Sequence, residues 1–231
     1  MKLLITGIGS GLGRALAEKG LAKGYEVYAL GRHLPKEMSG KVRFAWCDLQ
    51  ELESISSRVS KLLEGVRELE LVILNAGVLG VFGDVREVPL YEMRKVMDIN
   101  LWANKVLLDT LVEGGVSVRQ VVGISSGAAV NCNRGWNAYS ISKAAFNCLL
   151  RLYAREMRET HFTALAPGLV LTPMLEEVMK QDEERFPSIK RIKESPKRTP
   201  EEAAELLFKV FPKLLDFESG SFIDVRKLQG V

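Results

Sequence analysis

A chain of 231 residues, 47% hydrophobic and 26% charged, has an ordinary globular composition and enough length for one full core. Its 32 basic and 29 acidic residues leave a net charge of +3, too even a balance for the concentrated basic patch of a nucleic-acid binder. Three scattered cysteines argue against a disulfide framework or a zinc cluster, and no apolar run approaches the ~18 residues of a membrane span. The expectation is a cytoplasmic protein: unpaired cysteines suit a reducing compartment, and Met1 to Ile5 runs into a glycine-rich turn without a signal-peptide pattern.

Short apolar runs alternate with helical patterns along the chain. Residues 2–6, 25–30, 42–46, 71–74, 118–124 and 161–165 read as strands, and their nearly continuous apolar character suits burial on both faces. Helical patterns lie between them at 11–23, 49–64, 89–112 and 138–158. The alternation predicts an α/β fold in which one mostly parallel sheet is doubly wound, within a single domain spanning 1–231. Beyond Pro173 the pattern changes. Residues 174–192 are charged, helical and weakly anchored, and the basic cluster at 190–198 reads as a solvated face. Thr199-Pro200-Glu201-Glu202 opens a helix at 200–214, and 221–225 can supply a last strand. Residues 172–198 are expected to form a mobile flap over a site.

Between the first strand and first helix stands Thr6-Gly7-Ile8-Gly9-Ser10-Gly11-Leu12-Gly13. Glycines permit a tight turn and let backbone approach a pyrophosphate, whose charge then rests on the helix N-terminus. A plain βα turn needs one or two glycines, whereas four stand here among residues 7–13. No G-K-[ST] follows, so the loop is not a P-loop. The sequence therefore points to a dinucleotide. An acid after the second strand would hold a ribose 2′-hydroxyl, but this strand ends Leu30-Gly31-Arg32-His33. Arg32 favours a 2′-phosphate and thus NADP, with NAD as the alternative; a solvated surface arginine is the plain reading. Asp48 and Leu49 end the third strand where an adenine would lie, although Asp48 can equally cap the next helix.

Tyr139 and Lys143 lie one helical turn apart. A free phenol titrates near ~10, too high for a neutral-pH base. A lysine ammonium ~4 Å away at an effective dielectric of ~20 contributes about 4 kcal/mol, enough to lower it by up to about 3 units. Alone, such a pair is more often two solvated residues. Ser126 ends the fifth strand, at the sheet edge where open α/β folds bind ligands, and can steady charge on a substrate oxygen. Ser125 beside it reads as structural. Asn75-Ala76-Gly77 ends the fourth strand on the same edge. Asn100 sits mid-helix, where asparagine is unfavourable; a buried kink or a relay to Lys143 is the reason to expect. Trp46 and Trp102 fit core positions. Trp136, in the loop between Ser126 and Tyr139, can form an apolar wall with Leu79, Val81, Phe82 and Met174 or serve general packing.

Taken together these residues resemble the short-chain dehydrogenase/reductase family over nearly the whole chain. The family motif T-G-x-x-x-G-x-G falls on Thr6, Gly7, Gly11 and Gly13, and N-A-G on Asn75, Ala76 and Gly77. The tetrad Asn-Ser-Tyr-Lys falls on Asn100, Ser126, Tyr139 and Lys143, and the proline–glycine segment on Pro167-Gly168-Leu169-Val170-Leu171-Thr172. The resemblance implies a seven-stranded Rossmann fold that moves a hydride between nicotinamide and a carbonyl or alcohol. It implies Tyr139 as acid/base, Lys143 lowering its pKa and holding the ribose, Ser126 orienting the carbonyl and Asn100 supporting a water-linked relay. The backbone at Pro167, Gly168 and Val170, with Thr172, would contact the nicotinamide side. A homodimer or homotetramer is also implied. Two departures stand out: Ser10 replaces a basic residue common in NADP-preferring members, and Asp224-Val225-Arg226 replaces a frequent terminal Asp-Gly-Gly. A non-catalytic dinucleotide sensor or scaffold is the first rival, and a sugar-nucleotide epimerase, which needs a different glycine loop, the second.

Overall fold

The computed structural model describes residues 1–228. Seven strands, β1 (Lys2–Thr6), β2 (Glu26–Gly31), β3 (Arg43–Trp46), β4 (Glu68–Leu74), β5 (Ser117–Ile124), β6 (His161–Ala166) and β7 (Ser221–Asp224), make one sheet. Their order is β3-β2-β1-β4-β5-β6-β7, with every neighbouring pair parallel. The helices are α1 (Gly11–Ala22), α2 (Leu52–Leu62), α3 (Leu90–Met97), α4 (Ala103–Glu113), α5 (Ala128–Asn131), α6 (Asn137–Glu156), α7 (Pro173–Met179), α8 (Pro187–Glu194) and α9 (Pro200–Leu214). This is the single doubly wound Rossmann-type domain expected from the alternation of runs.

Side chains alternate across a strand, so each apolar run feeds two cores. Leu3, Ile5, Val27, Ala29, Leu71 and Ile73 face α1 and α9, where Leu16, Leu207 and Phe211 meet them. Leu4, Tyr28, Leu30, Val72 and Leu74 face the other way, against Ile55, Leu107, Phe146 and Leu150 of α2, α4 and α6. Each such buried side chain contributes about 1.5–3 kcal/mol. The strand order reverses between β1 and β4, which opens a crevice beyond their carboxyl ends.

Several expectations are corrected. The helix expected over 89–112 is interrupted at Asp98–Trp102, where the backbone widens to π-helical bonding around Asn100. Helix α2 starts at Leu52 with Glu51 as its cap; Asp48 instead accepts from the Gln50 N–H at 3.0 Å, so it caps a turn and not the helix. Trp46 and Trp102 are not core residues, being 48% and 43% exposed. β3 is an edge strand, and Arg58 lies over the Trp46 ring at 5.8 Å. Residues 174–192 are not weakly anchored. They form α7, α8 and the turn between them, and Val178, Phe186 and Ile189 are buried in a cluster with Leu79, Phe82 and Trp136. The ends of this segment are pinned together by Leu171 N–H to Arg198 O at 2.9 Å and Arg198 N–H to Leu169 O at 3.0 Å.

Candidate active site

The crevice is a cleft of about 1270 Å³. Its nucleotide-sized end is built from backbone. Gly7 turns β1 into α1 with φ of +77°, a left-handed value that glycine adopts without cost, and its N–H donates to Leu30 O at 2.8 Å. A Cβ on Gly13 would stand 2.0 Å from Gly7 O and 2.3 Å from Asn75 Nδ2, so only glycine lets α1 close on the loop. Asn75 Nδ2 donates to Thr6 O and Gly7 O, each at 3.0 Å. In return the Thr6 hydroxyl accepts from the N–H groups of Asn75 at 3.1 Å and Ala76 at 3.0 Å. The loop after β1 and the end of β4 thus form one rigid unit.

Ser10 precedes α1 without capping it by its side chain, and no acid stands in the first turn. The free N–H groups and helix dipole there suit an anion. Gly7, Gly9, Ser10, Gly11, Leu12, Gly13, Arg32, Asp48, Leu49, Asn75, Ala76, Gly77, Pro167, Gly168, Val170 and Thr172 all line the cleft. These residues fit a dinucleotide: the glycines leave a cradle that side chains would fill, and Arg32 is 55% exposed at the β2 end. Arg32 stands 3.8 Å from Asp48, a partner near enough to orient it. His33 and Cys47 also line this end and were not foreseen, although they flank Arg32 and Asp48 in sequence. The Thr172 hydroxyl accepts from Leu175 N–H at 3.3 Å, which commits it to capping α7.

The opposite end gathers Tyr139, Lys143 and Ser126, the residues expected to carry the chemistry. Tyr139 and Lys143 project from α6, and both are almost fully buried. Lys143 Nζ donates to Ile124 O at 2.7 Å and lies 5.8 Å from the centre of the Tyr139 ring. Ser126, beyond β5, hydrogen-bonds the Tyr139 phenol, and its hydroxyl also accepts from Ala128 N–H at 3.1 Å. Burial pushes the Tyr139 phenol above its ordinary value, and the Ser126 bond offsets this only in part. The expected lowering by Lys143 is therefore not the outcome in this protein alone. Burial also brings the Lys143 ammonium down to about 8, which weakens it as a source of charge. Ser125 is structural, as expected: its hydroxyl donates to Asn147 Oδ1 at 2.6 Å.

Asn100 is buried behind the cleft and does not line it. Its Oδ1 accepts from Val78 N–H at 2.8 Å, while Nδ2 donates to Val78 O at 2.9 Å and Ser142 Oγ at 3.0 Å. Asn100 thus ties the loop after β4 to α6 and makes no side-chain bond to Lys143. A Cβ on Gly77 would stand 3.2 Å from Asn100 Oδ1 and 3.5 Å from Lys143 Nζ, which explains the glycine between them.

An apolar wall bounds this end. Phe82 meets Trp136 edge-on at 5.4 Å and Phe186 at 5.0 Å, and Trp136 leans over Tyr139 at 5.7 Å. The indole N–H of Trp136 donates to Ser188 Oγ at 3.1 Å. Leu79 and Met174 line the cleft as expected, but Val81 is exposed and lies outside it. The wall is clasped from outside by Asp84. Its carboxylate accepts from Arg134 Nε and Nη2, both at 2.7 Å, and from Arg185 Nη2 at 3.1 Å. These two arginines hold the Asp84 carboxyl well below the usual carboxylate range. Phe186, Ser188, Asp84, Arg134 and Arg185 were not singled out in the sequence, being spread over the segments 78–88, 127–137 and 172–198.

A sheet-switch cleft with a glycine cradle at one end and Ser126 beside buried Tyr139 and Lys143 at the other is the arrangement of a dinucleotide-dependent oxidoreductase. The chain belongs to the short-chain dehydrogenase family, whose family model matches residues 2–183. It is 28% identical over 239 residues to the benzil reductase ((S)-benzoin forming) of Bacillus subtilis, covering 97% of this chain and 98% of that one. An uncharacterized oxidoreductase of Schizosaccharomyces pombe is 32% identical over 181 residues, covering 74% and 72%. The crystal structure of the KRED1-Pglu enzyme shares the fold with a TM-score of 0.85 at 22% identity, covering 96% of this chain and 100% of that one. The protein is accordingly an oxidoreductase of a family that uses NAD(P) and acts on small molecules.

Proposed function

We propose that the protein is an NADP-preferring carbonyl reductase for substrates that carry an aryl-sized apolar group, with Tyr139 as the general acid/base. The observation that carries this reading is the buried Tyr139 phenol, hydrogen-bonded to Ser126 and roofed by Trp136. The similarity to a benzil reductase supports an aryl substrate. Arg32 would take the 2′-phosphate, the first turn of α1 the pyrophosphate, and Leu49 with Asp48 the adenine. Asn75 to Gly77, Tyr139 and Lys143 would face the ribose, and Pro167, Gly168, Val170 and Thr172 the nicotinamide. When bound, the dinucleotide supplies or accepts the hydride.

In the reduction direction the substrate carbonyl oxygen lies between the Tyr139 and Ser126 hydroxyls. Tyr139 gives its proton to that oxygen as negative charge develops, and Ser126 donates a second hydrogen bond. Burial raises the phenol, so Tyr139 holds its proton until charge develops on the substrate oxygen. Lys143 at about 8 still carries its charge at pH 7 and stabilises the phenolate left behind. Asn100 acts as a positioning residue, holding α6 against the loop after β4; this support is what it lends to any proton relay from Lys143. Exposed Trp102, Val112, Ile141 and Leu152 on α4, α6 and the turn before α4 fit a homo-oligomer, to be read by light scattering. Three free cysteines fit a reducing cytoplasm.

The test is NADPH consumption, followed at 340 nm, with benzil and other aryl ketones. Tyr139→Phe should slow turnover at least ~100-fold and leave cofactor affinity nearly unchanged. Comparable turnover in that variant would sink the mechanism.

A further inference from the structure

At the carboxyl edge of the sheet, Arg226 lines the cleft and has no part in the chemistry proposed for Tyr139. Arg226 follows β7 in a single 3₁₀ turn, Val225–Lys227. The buried Asp224 carboxylate accepts from the Arg226 backbone N–H at 3.0 Å, from Nε at 2.9 Å and from Nη2 at 2.6 Å. Burial raises Asp224, but these bonds more than compensate and keep it below its ordinary value. This fork fixes the direction of the guanidinium. Its stem lies along Gly168, with Cγ and Cδ 3.5 Å from where a Gly168 Cβ would stand. Its Nη2 reaches to 3.3 Å from where a Gly127 Cβ would stand, and Asn131 Nδ2 lies 3.5 Å from that same point.

Gly127 adjoins Ser126, so a guanidinium nitrogen and an amide nitrogen both lie close to the residue next to the hydroxyl that, on the proposed reading, faces the reacting carbonyl. Among the described residues, neither Arg226 Nη1 nor Asn131 Nδ2 has a hydrogen-bond acceptor, and both residues line the cleft. Arg191 stands on the same rim and spends one N–H on Asn133 Oδ1 at 3.2 Å. The rim's acid, Glu177, is paired with Lys180. Asp224 balances the charge of Arg226, so recognition rests on directed hydrogen bonds more than on long-range attraction. The aromatic wall of Phe82 and Trp136 would receive the apolar part of a substrate and leave its polar substituent to these donors.

We propose that Arg226 and Asn131 bind a carboxylate on the substrate, so that the preferred substrates are aryl carbonyl compounds bearing an acid group near the reacting carbonyl. The proposal rests on the reading of Ser126 and Tyr139 as the reacting centre. Planar carboxylates match paired N–H donors with both oxygens, which neutral esters cannot do as well.

The experiment compares benzoylformate, 3-acetylbenzoate and 4-acetylbenzoate with their own methyl esters. The wild type should prefer at least one acid over its ester. Arg226→Gln should lower that acid-to-ester ratio of kcat/KM by at least ~10-fold, since hydrogen bonds to charged groups carry that much. Arg226→Lys should lose less. A ratio taken within one variant cancels any loss of folded enzyme. Acids no better than their esters in the wild type, or a ratio within twofold in Arg226→Gln, overturn the proposal. Calorimetric binding of the same acids and esters to the NADP-loaded protein separates this site from the reaction. Acid binding that Arg226→Gln weakens tenfold, without turnover of any compound, upholds the site and overturns the reading of Tyr139. Equal or absent binding of acid and ester overturns the site.

Discussion

The two ends of the cleft are built in different ways. At the nucleotide end, backbone does the positioning: Gly7, Gly11 and Gly13 leave room, and Thr6 with Asn75 stitches two strand ends together. At the substrate end, side chains from 78–88, 127–137 and 172–198 meet only through folding, and Asp84 clasps them from the surface. The first end tolerates almost no added atom. The second rests on ring contacts and exposed ion pairs, which are individually weak. With the dinucleotide and substrate placed at the two ends as proposed, this contrast would let one scaffold hold a constant ligand firmly while its substrate wall is free to vary.

The contrast is open to direct tests. The largest effect is expected at the nucleotide end, from Gly13→Ala. Its new methyl would stand 2.0 Å from Gly7 O, so the loop or α1 must move, at a cost of about 3 kcal/mol or more. Urea denaturation should show a lower midpoint and titration should show lost NADPH binding; wild-type values would mean that the unit is not rigid.

Next comes Lys143→Met. The folded-state value of Lys143 is about 8, below its ordinary 10.5, so burying the charged ammonium costs stability below pH 8. As pH rises towards 10.5 the unfolded chain binds more protons than the folded one, and the cost disappears. Relative to Lys143→Met, the wild type should therefore gain up to about 3 kcal/mol between pH 7 and pH 10. Denaturation curves that stay parallel across this range would contradict the assignment.

Arg32→Asp should shift the NADP-to-NAD ratio of specificity constants towards NAD by roughly tenfold or more, the strength of a charged hydrogen bond. An unchanged ratio refutes the clamp. The smallest effect belongs to the clasp. Asp84→Asn should raise KM for bulky substrates about threefold, increasingly at low salt, with KM for NADPH unmoved. Because Arg134 and Arg185 hold the Asp84 charge well into acid, lowering the pH to about 5 should not reproduce the loss. A matching rise in KM for NADPH would show that the two ends are coupled.

How much of this could be read beforehand follows the same division. The seven strands and the glycine loop were legible because burial on both faces writes continuous apolar runs, and positive φ writes glycine. Asn100 betrayed itself as an asparagine inside a helix, and the structure supplies the reason in the bonds to Val78 and Ser142. Trp46 and Trp102 misled, since an aromatic residue in an apolar run does not say whether its strand is an edge or which way its helix turns. Residues 174–192 misled by their charge, which conceals the three buried side chains Val178, Phe186 and Ile189.

The sequence by itself determined the α/β alternation and the glycine loop and pointed to Ser126, Tyr139 and Lys143, because these readings rest on local spacing and backbone conformation. Only the tertiary structure decided that burial would raise Tyr139 and lower Lys143, and that Phe82, Trp136 and Phe186 would share one wall. It alone placed Arg226 beside Gly127. Desolvation and the meeting of distant loops are properties of the packed whole, and no stretch of sequence carries them in advance.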